Sequence, residues 1–480
     1  MTREIDADYS QSFLLPPNLE DWVGADHPVR FIRDFIDSQD MAALGLKSSS
    51  KAGPGNPHYA PSLLLKIWLY GWLERIRTSR PLERACRQHL ALMWLCGLET
   101  PDHNTLWRFW RSNKQVMHGL FRRSVEVAVE MGLVSMAIHA VDGTKIQAAS
   151  SARRAWHGED LQRLLERLEA QIEDMEKQLE EEGSSKDPGY TLGPQLSDAH
   201  RRRAAIEQAL AKLAEADRKH MQPDEPQVKM IAAPGREIGW NYNAQAVAEQ
   251  SHQIIVAQDL VTDPNDLHQL TPMLDEAKKN LGSAADVTLA DAGYASQQQL
   301  GLAAERAMNV LVNLPQQNAV SDKPLHSHNF RYDEQKDVCI CPAFGNELAY
   351  AATRKARPGH LQSRIYRCSA AGCPLASQCT SNPRGREIEI TQQRRAVMDQ
   401  LERQRCPKTR GLMRRRQAII EPVFGWIKQT LGFRRFTVKG LLNTQAQWAL
   451  ACLIHNLSKL ISHWQKSQTP STRPTILAPA

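Results

Sequence analysis

Apolar and polar positions alternate in three distinct textures along the chain. Up to about Leu133 the pattern is helical. Pro61 opens the run SLLLKIWLYGWLERI, Pro81 opens LERACRQHLALMWL, and Pro101-Asp102 leads into HNTLWRFWRSNKQVMHGLFRRSVEVAVEMG. Proline fits the first turn of a helix, where its missing N–H has no intrahelical partner, so these runs predict three helices joined by short turns. The last bears Arg108, Arg111, Lys114, Arg122 and Arg123. That suits a helix-turn-helix-like reader of DNA, and equally a plain helical bundle with a basic outer face.

From Ser135 the period shortens. SMAIHAV ends in Asp142-Gly143 and resumes as Thr144-Lys145-Ile146, which predicts a strand and a turn. Residues 242–248, 253–261, 286–290 and 309–314 predict four more strands, with helical stretches at 267–281 and 297–307 between the later ones. Strands followed by helix-separated strands indicate an α/β core.

Two insertions interrupt this core. Leu161, Leu165, Leu168, Ile172, Met175 and Leu179 are spaced 4, 3, 4, 3 and 4 apart, which is a heptad seam. After the turn-rich GSSKDPGYTLGP, a second stripe of Ile206, Leu210 and Leu213 predicts an antiparallel helical hairpin. The seam can close on itself or pair with a second copy. The second insertion, 318–394, has little apolar content and holds five cysteines: Cys339, Cys341, Cys368, Cys373 and Cys379. Beyond Arg395 the chain is helical again, and a Pro- and Thr-rich tail, 466–480, is expected to be disordered.

Composition narrows the classes. No run approaches eighteen apolar residues, so no membrane span is expected, and the acidic start MTREIDADYS is unlike a signal peptide, which favours a cytoplasmic protein. Nine cysteines at low density do not make an extracellular disulfide framework. Charge matters through its placement. The net charge is +7, yet residues 401–440 hold eleven Lys or Arg against Glu402 and Glu421, leaving the rest of the chain slightly acidic. A concentrated basic surface is the footprint of a polyanion, with nucleic acid foremost, although a solvated basic face has the same composition.

Three acids carry candidate chemistry. Asp142 is expected at the end of the first core strand, and Asp291 directly follows the strand DVTLA in the turn Asp291-Ala292-Gly293-Tyr294. Glu421 lies in the helical stretch RRRQAIIEPVFGWIKQTLGFRRF, with Lys428 seven residues later and so close to the same helix face. Singly, each acid reads as a turn or a solvated residue. Carboxylates at adjacent strand ends, joined by one from a flanking helix, can converge to hold Mg²⁺ for phosphodiester cleavage.

The phrases Val141-Asp142-Gly143-Thr144-Lys145, Asp291-Ala292-Gly293-Tyr294 and Glu421-Pro422-Val423-Phe424-Gly425-Trp426-Ile427-Lys428, followed by Gly432-Phe433-Arg434-Arg435-Phe436, resemble the DDE-type transposases of bacterial insertion sequences. The subgroup resembled carries a cysteine-bearing insert before the catalytic glutamate, and the likeness extends to His455-Asn456-Leu457. It implies an α/β ribonuclease-H-like catalytic core in two parts, 135–317 and 395–465. To this are added a helical N-terminal DNA-binding domain (1–134), the helical-hairpin insertion (158–222) and the cysteine-bearing insertion (318–394). Asp142, Asp291 and Glu421 are then the catalytic, Mg²⁺- or Mn²⁺-binding residues, and Lys428, Arg416, Lys145, Arg434 and Arg435 face phosphate. Where the family places a tyrosine, this chain has Met413. The implied partners are double-stranded DNA, both terminal inverted repeats and target, with a homodimer formed on DNA. Cys341, Cys368, Cys373 and Cys379 are candidates for a structural Zn²⁺, with reduced, unligated cysteines as the other reading. Competing functions are a DNA-binding regulator without catalysis, and a nuclease of the same fold that cuts without joining.

Overall fold

Ile138–Gln147 (β1) is the strand around which the core is assembled, with Ile138 to Val141 buried on both faces. In this computed structural model residues 18–46, 58–181, 194–232, 238–314, 325–333, 335–355, 362–368 and 372–468 are described. β1 pairs antiparallel with Gly239–Glu249 (β2) and parallel with Val287–Ala290 (β4). Ile255–Val261 (β3) adds antiparallel to β2, and Val310–Val312 (β5) adds parallel to β4. The order is β3-β2-β1-β4-β5, with the short strand Lys229–Ile231 beside the start of β2.

One expectation changes here. Asp142 does not end its strand. β1 continues to Gln147 because β2 accompanies it, with Asp142 opposite Ala246 and Gln147 opposite Asn241. Asp-Gly is therefore extended backbone inside a ladder and not a turn. On the other side, the parallel register sets Ala140 against Leu289. Two residues further along the same register, Asp142 comes level with Asp291.

A sheet edge exposes unpaired N–H and C=O groups, and here a helix carboxamide closes each edge. Asn456, on the long helix Leu441–Gln468, accepts from Ile255 N and donates to Ile255 O, both at 2.9 Å. Gln400, on the helix Gln392–Arg405, donates to Val310 O at 2.8 Å and accepts from Val312 N at 3.2 Å. Both carboxamides are buried and span one residue's or two residues' worth of ladder, as a further strand would. The apolar face of Leu441–Gln468 packs on β3 and on the helix Val116–Glu130.

The N-terminal region is larger than three helices. Pro28–Asp37, Pro61–Leu73, Ser79–Gln88, Leu90–Leu95, His103–Asn113 and Val116–Glu130 all form, and their buried residues join one core with the sheet. The run at Pro61–Leu73 shows why: Leu64, Leu65, Ile67, Trp68, Leu69, Tyr70 and Trp72 are all buried, so it is apolar on every side. Such a helix belongs inside a core, not on a surface. Trp72 packs on Phe433 with ring centroids 5.3 Å apart, and Arg77 donates to the carbonyls of Leu431 and Gly432.

The heptad seam closes on itself. Gly158–Glu181 packs against Pro194–Glu215 through Leu168, Ile172, Leu196, Ala199 and Ile206, above a two-stranded ribbon of Trp156–His157 and His220–Met221. Most of the connecting GSSKDPGYTLGP lies outside the described residues. The second insertion has a sheet of its own. It is an antiparallel meander of Arg331–Asp333, Val338–Ile340, Glu347–Arg354, Ser363–Arg367 and Glu387–Thr391. Phe330, Cys339, Leu348, Tyr366, Ile388 and Ile390 give it a core of its own. Each short strand contributes only one or two inward residues, so no apolar run marks it in the sequence. Of the predicted tail, residues up to Gln468 are helical and 469–480 lie outside the described residues. Among the described residues no helix is long and apolar enough to cross a membrane.

Candidate active site

A cleft of about 650 Å³ opens where β1 and β4 part. Asp142, Gly143, Thr144, Lys145, Asp266, Asp291, Lys428 and Arg434 are among its walls. Asp142 Oδ1 accepts from Gly143 N at 2.8 Å, and its Oδ2 accepts from Arg416 Nη1 at 2.9 Å. Asp291 Oδ1 accepts from Gly293 N at 2.9 Å, capping the single 3₁₀ turn Ala292–Tyr294. That bond fixes the carboxylate at the mouth of β4.

Burial pushes the Asp142 carboxyl above its ordinary range; Arg416 opposes the shift and the Asp291 charge adds to it. A buried carboxylate beside another is unfavourable until a cation joins them. Lys145 is shifted the opposite way. Its ammonium is lowered by burial, against the pull of Asp266, Asp142 and Asp291.

The π turn Trp426–Thr430 brings Lys428 to the site, where its ammonium donates to Thr144 Oγ1. The helix is already irregular one turn earlier. Pro422 lies inside the helix Pro407–Gly425 and has no N–H for Ala418 O; Gln253 Nε2 donates to that carbonyl instead, at 3.2 Å. Arg434 holds the turn through Lys428 O at 2.9 Å and lines the cleft. Arg435 does not line it. Its guanidinium donates to Ala148 O at 3.1 Å and Ala149 O at 2.7 Å, beyond the end of β1.

Glu421 is not brought to the other two acids. The helix presents Ile420, Val423 and Ile427 to the core and Arg416 to Asp142, while Glu421 is exposed, about 100° around from Ile420. Among the described residues no three His, Cys, Asp or Glu side chains are placed to hold a metal ion. The donor set at Asp142 and Asp291 nonetheless suits a hard divalent cation: carboxylate oxygens, one of them made costly by burial, with cleft space for water and phosphate.

Asp266 was missed in the sequence, where Asp263-Pro264-Asn265-Asp266 reads as a turn-rich loop. The signal was on the neighbouring strand. Asn241, Asn243 and Gln245 recur at every second position of β2 and are buried. Buried carboxamides need partners, and Asp266 is the partner of two of them.

In the second insertion Cys341, Cys368, Cys373 and Cys379 line one cavity of about 30 Å³ beside Phe330 and Arg386. Arg386 N donates to Cys368 Sγ at 3.3 Å. Burial raises the Cys379 thiol, and the neighbouring Cys368, Cys341 and Cys373 add to it. Cys339 is apart, buried in the sheet core and pushed up to about 12.

Compared with known protein families, residues 340–461 match the family described as Transposase DDE domain, and residues 17–112 match that described as Transposase domain (DUF772). No curated protein matches the chain.

Proposed function

Given that the chain belongs to the DDE-type insertion-sequence transposases, we propose that it binds the terminal inverted repeats of its element, cleaves the DNA there with Mg²⁺ or Mn²⁺, and joins the freed end to target DNA. The family implies a ribonuclease-H-like core, DNA as partner and divalent metal. The observation that carries the finer reading is the level placement of Asp142 and Asp291 across the parallel seam, in a cleft rimmed by Lys145, Lys428 and Arg434.

Asp142 and Asp291 would hold the metal, which supplies charge to activate water and to stabilise the leaving oxygen. Lys428, Lys145 and Arg434 bind the scissile phosphate and orient it. Water attacks phosphorus, the bond to the 3′ oxygen breaks, and that oxygen takes a proton to become a 3′-hydroxyl. In the second step this hydroxyl attacks a target phosphorus and displaces its 3′ oxygen, so no covalent bond to protein forms. The exposed Arg405, Lys408, Arg410, Arg414 and Arg415 offer phosphate contacts along the duplex. Glu421 supplies the third carboxylate once DNA draws its helix around the Pro422 irregularity. Two ends must be held together, which a homodimer on DNA provides. The four cysteines of the second insertion would hold a structural Zn²⁺, drawn together from the positions they take around their cavity.

The test is cleavage of DNA carrying the element's terminal repeat, with Mg²⁺, by wild type and by Asp142→Asn. Metal-dependent nicking at the repeat boundary that the variant loses while still binding supports the proposal. Binding without nicking by either protein sinks it in favour of a regulator. Nicking without joining of a pre-cut end to target DNA leaves a nuclease.

A further inference from the structure

Asp266 closes the loop after β3, and its side chain is 17% exposed. Its Oδ1 accepts from Asn243 Nδ2 at 2.7 Å and Gln245 Nε2 at 2.6 Å, and Lys145 Nζ lies 3.8 Å away. Gln245 Oε1 in turn accepts from the hydroxyl of Tyr294, a fully buried residue on the turn that begins at Asp291. One carboxylate is thus bonded into the β2 strand beside Asp142 and, through Gln245, into the turn that carries Asp291.

Two glycines record the same arrangement. A Cβ on Gly143 would stand 2.4 Å from Gln245 Nε2 and 2.6 Å from Asp266 Oδ1. A Cβ on Gly293 would stand 3.0 Å from Asp291 Oδ1 and 3.4 Å from Asp266 Oδ2. Neither glycine has positive φ, so it is space and not backbone conformation that each provides. The glycine following Asp142 and the glycine two residues past Asp291 both border on Asp266.

We propose that Asp266 is a positioning residue that holds the Asp142 and Asp291 segments at one fixed separation and keeps Lys145 beside them. This rests on the reading of Asp142 and Asp291 as the metal-holding pair. Asp266 acts through Gln245, Tyr294 and Lys145, with its Oδ1 already occupied by two amide donors and facing an ammonium. A displacement of about 1 Å at a reacting group costs on the order of 100-fold in rate, and that is the loss expected here.

The experiment uses the full chain with Asp266→Asn and, as a second approach to the same space, Gly143→Ala. Asp263→Asn, in the same loop, is the control. Three quantities are read: the cleavage rate at saturating DNA and Mg²⁺, the Mg²⁺ midpoint with DNA affinity, and amide hydrogen exchange of segments 141–145 and 290–295. Expected for both test variants is a rate loss of about 100-fold with DNA affinity unchanged, a Mg²⁺ midpoint raised about tenfold as the two carboxylates lose their fixed separation, and faster exchange in both segments together, with the control unaltered. Unchanged exchange in both segments overturns the proposal. A raised Mg²⁺ midpoint with exchange unchanged in both segments overturns it as well, since the effect then runs through direct contact with the ion and not through the two segments. If wild type itself does not cut DNA, the functional reading fails, and the exchange measurement still decides whether Asp266 holds the two segments.

Discussion

Arg416 Nη1 lies 2.9 Å from Asp142 Oδ2, so the helix that carries Glu421 already touches the first carboxylate of the cleft through a cation. Both side chains are mostly buried, 13% and 17% exposed. The guanidinium holds a place that a metal ion bound at Oδ2 would have to share or take over. Arg416→Ala is therefore expected to lower the Mg²⁺ midpoint several-fold. It should also destabilise the metal-free protein by about 3 kcal/mol, since breaking a buried pair strands its partner. Paired metal titrations and urea unfolding check both; a midpoint that rises contradicts the competition.

The raised Asp142 pKa makes a statement about pH. A carboxyl whose folded pKa exceeds its unfolded value binds its proton more tightly in the folded state. Its contribution is thus most favourable in acid, and stability falls as pH rises from the unfolded pKa through the folded one. Metal bound at Asp142, as proposed, would reverse that loss. The increase in Tm produced by Mg²⁺ should be small near pH 4, grow as Asp142 ionises, and vanish in Asp142→Asn. At a Mg²⁺ concentration of a hundred times Kd the gain is about 2.7 kcal/mol. Scanning calorimetry at several pH values decides; an increment independent of pH would place the ion elsewhere.

For Asp291→Asn we expect cleavage to fall by roughly 1,000-fold or more, the order lost when a preorganised charge-stabilising group is removed, while DNA binding persists. Glu421→Gln separates two pictures. A loss of similar size means that DNA recruits this exposed side chain to the cleft. Full activity in Glu421→Gln removes it from the chemistry.

The cysteines of the second insertion divide by position. Cys373→Ser should abolish a single equivalent of zinc measured by elemental analysis. Cys339→Ser should retain the metal and cost about 1–3 kcal/mol, because it sets a hydroxyl in an apolar sheet core. Zinc-free protein purified without chelators would leave the four thiols as unligated cysteines.

Asn456→Leu keeps the branched outline of the side chain and removes the carboxamide that pairs with Ile255. Two buried backbone groups then lose their partners, at about 2–4 kcal/mol together. Chemical denaturation measures this. A change below about 0.5 kcal/mol would mean that water replaces the bonds.

How much was legible beforehand depended on what each residue's signal was. Asp142 and Asp291 stand out because each follows an apolar run, and apolar runs are visible in sequence. The hairpin was visible for a similar reason, its heptad seam being periodic over several turns. Asp142 was misplaced at a strand end because Asp-Gly has the chemistry of a turn; only pairing with β2, about a hundred residues away, keeps it extended. Asp266 was invisible for the opposite reason. Its partners Asn243, Gln245 and Lys145 come from two other strands, and the nearest sequence is a loop of turn formers. Which face Glu421 takes is set by how its helix packs, with Ile420 and Val423 buried in the core, and a spacing of seven to Lys428 does not report the π turn at Trp426–Thr430.

Arg77 grips the carbonyls of Leu431 and Gly432 from a helical region that shares its core with the sheet. Those carbonyls immediately follow the turn that aims Lys428 at Thr144. If residues 1–134 read DNA as proposed, exchanging them for another recognition region would therefore also remove the clasp behind Lys428. Retargeting by wholesale transplantation is disfavoured by this architecture. On the proposed function, substitutions confined to the exposed faces of these helices, leaving Trp72 and Arg77 in place, are the ones that could change recognition without loosening the turn that carries Lys428.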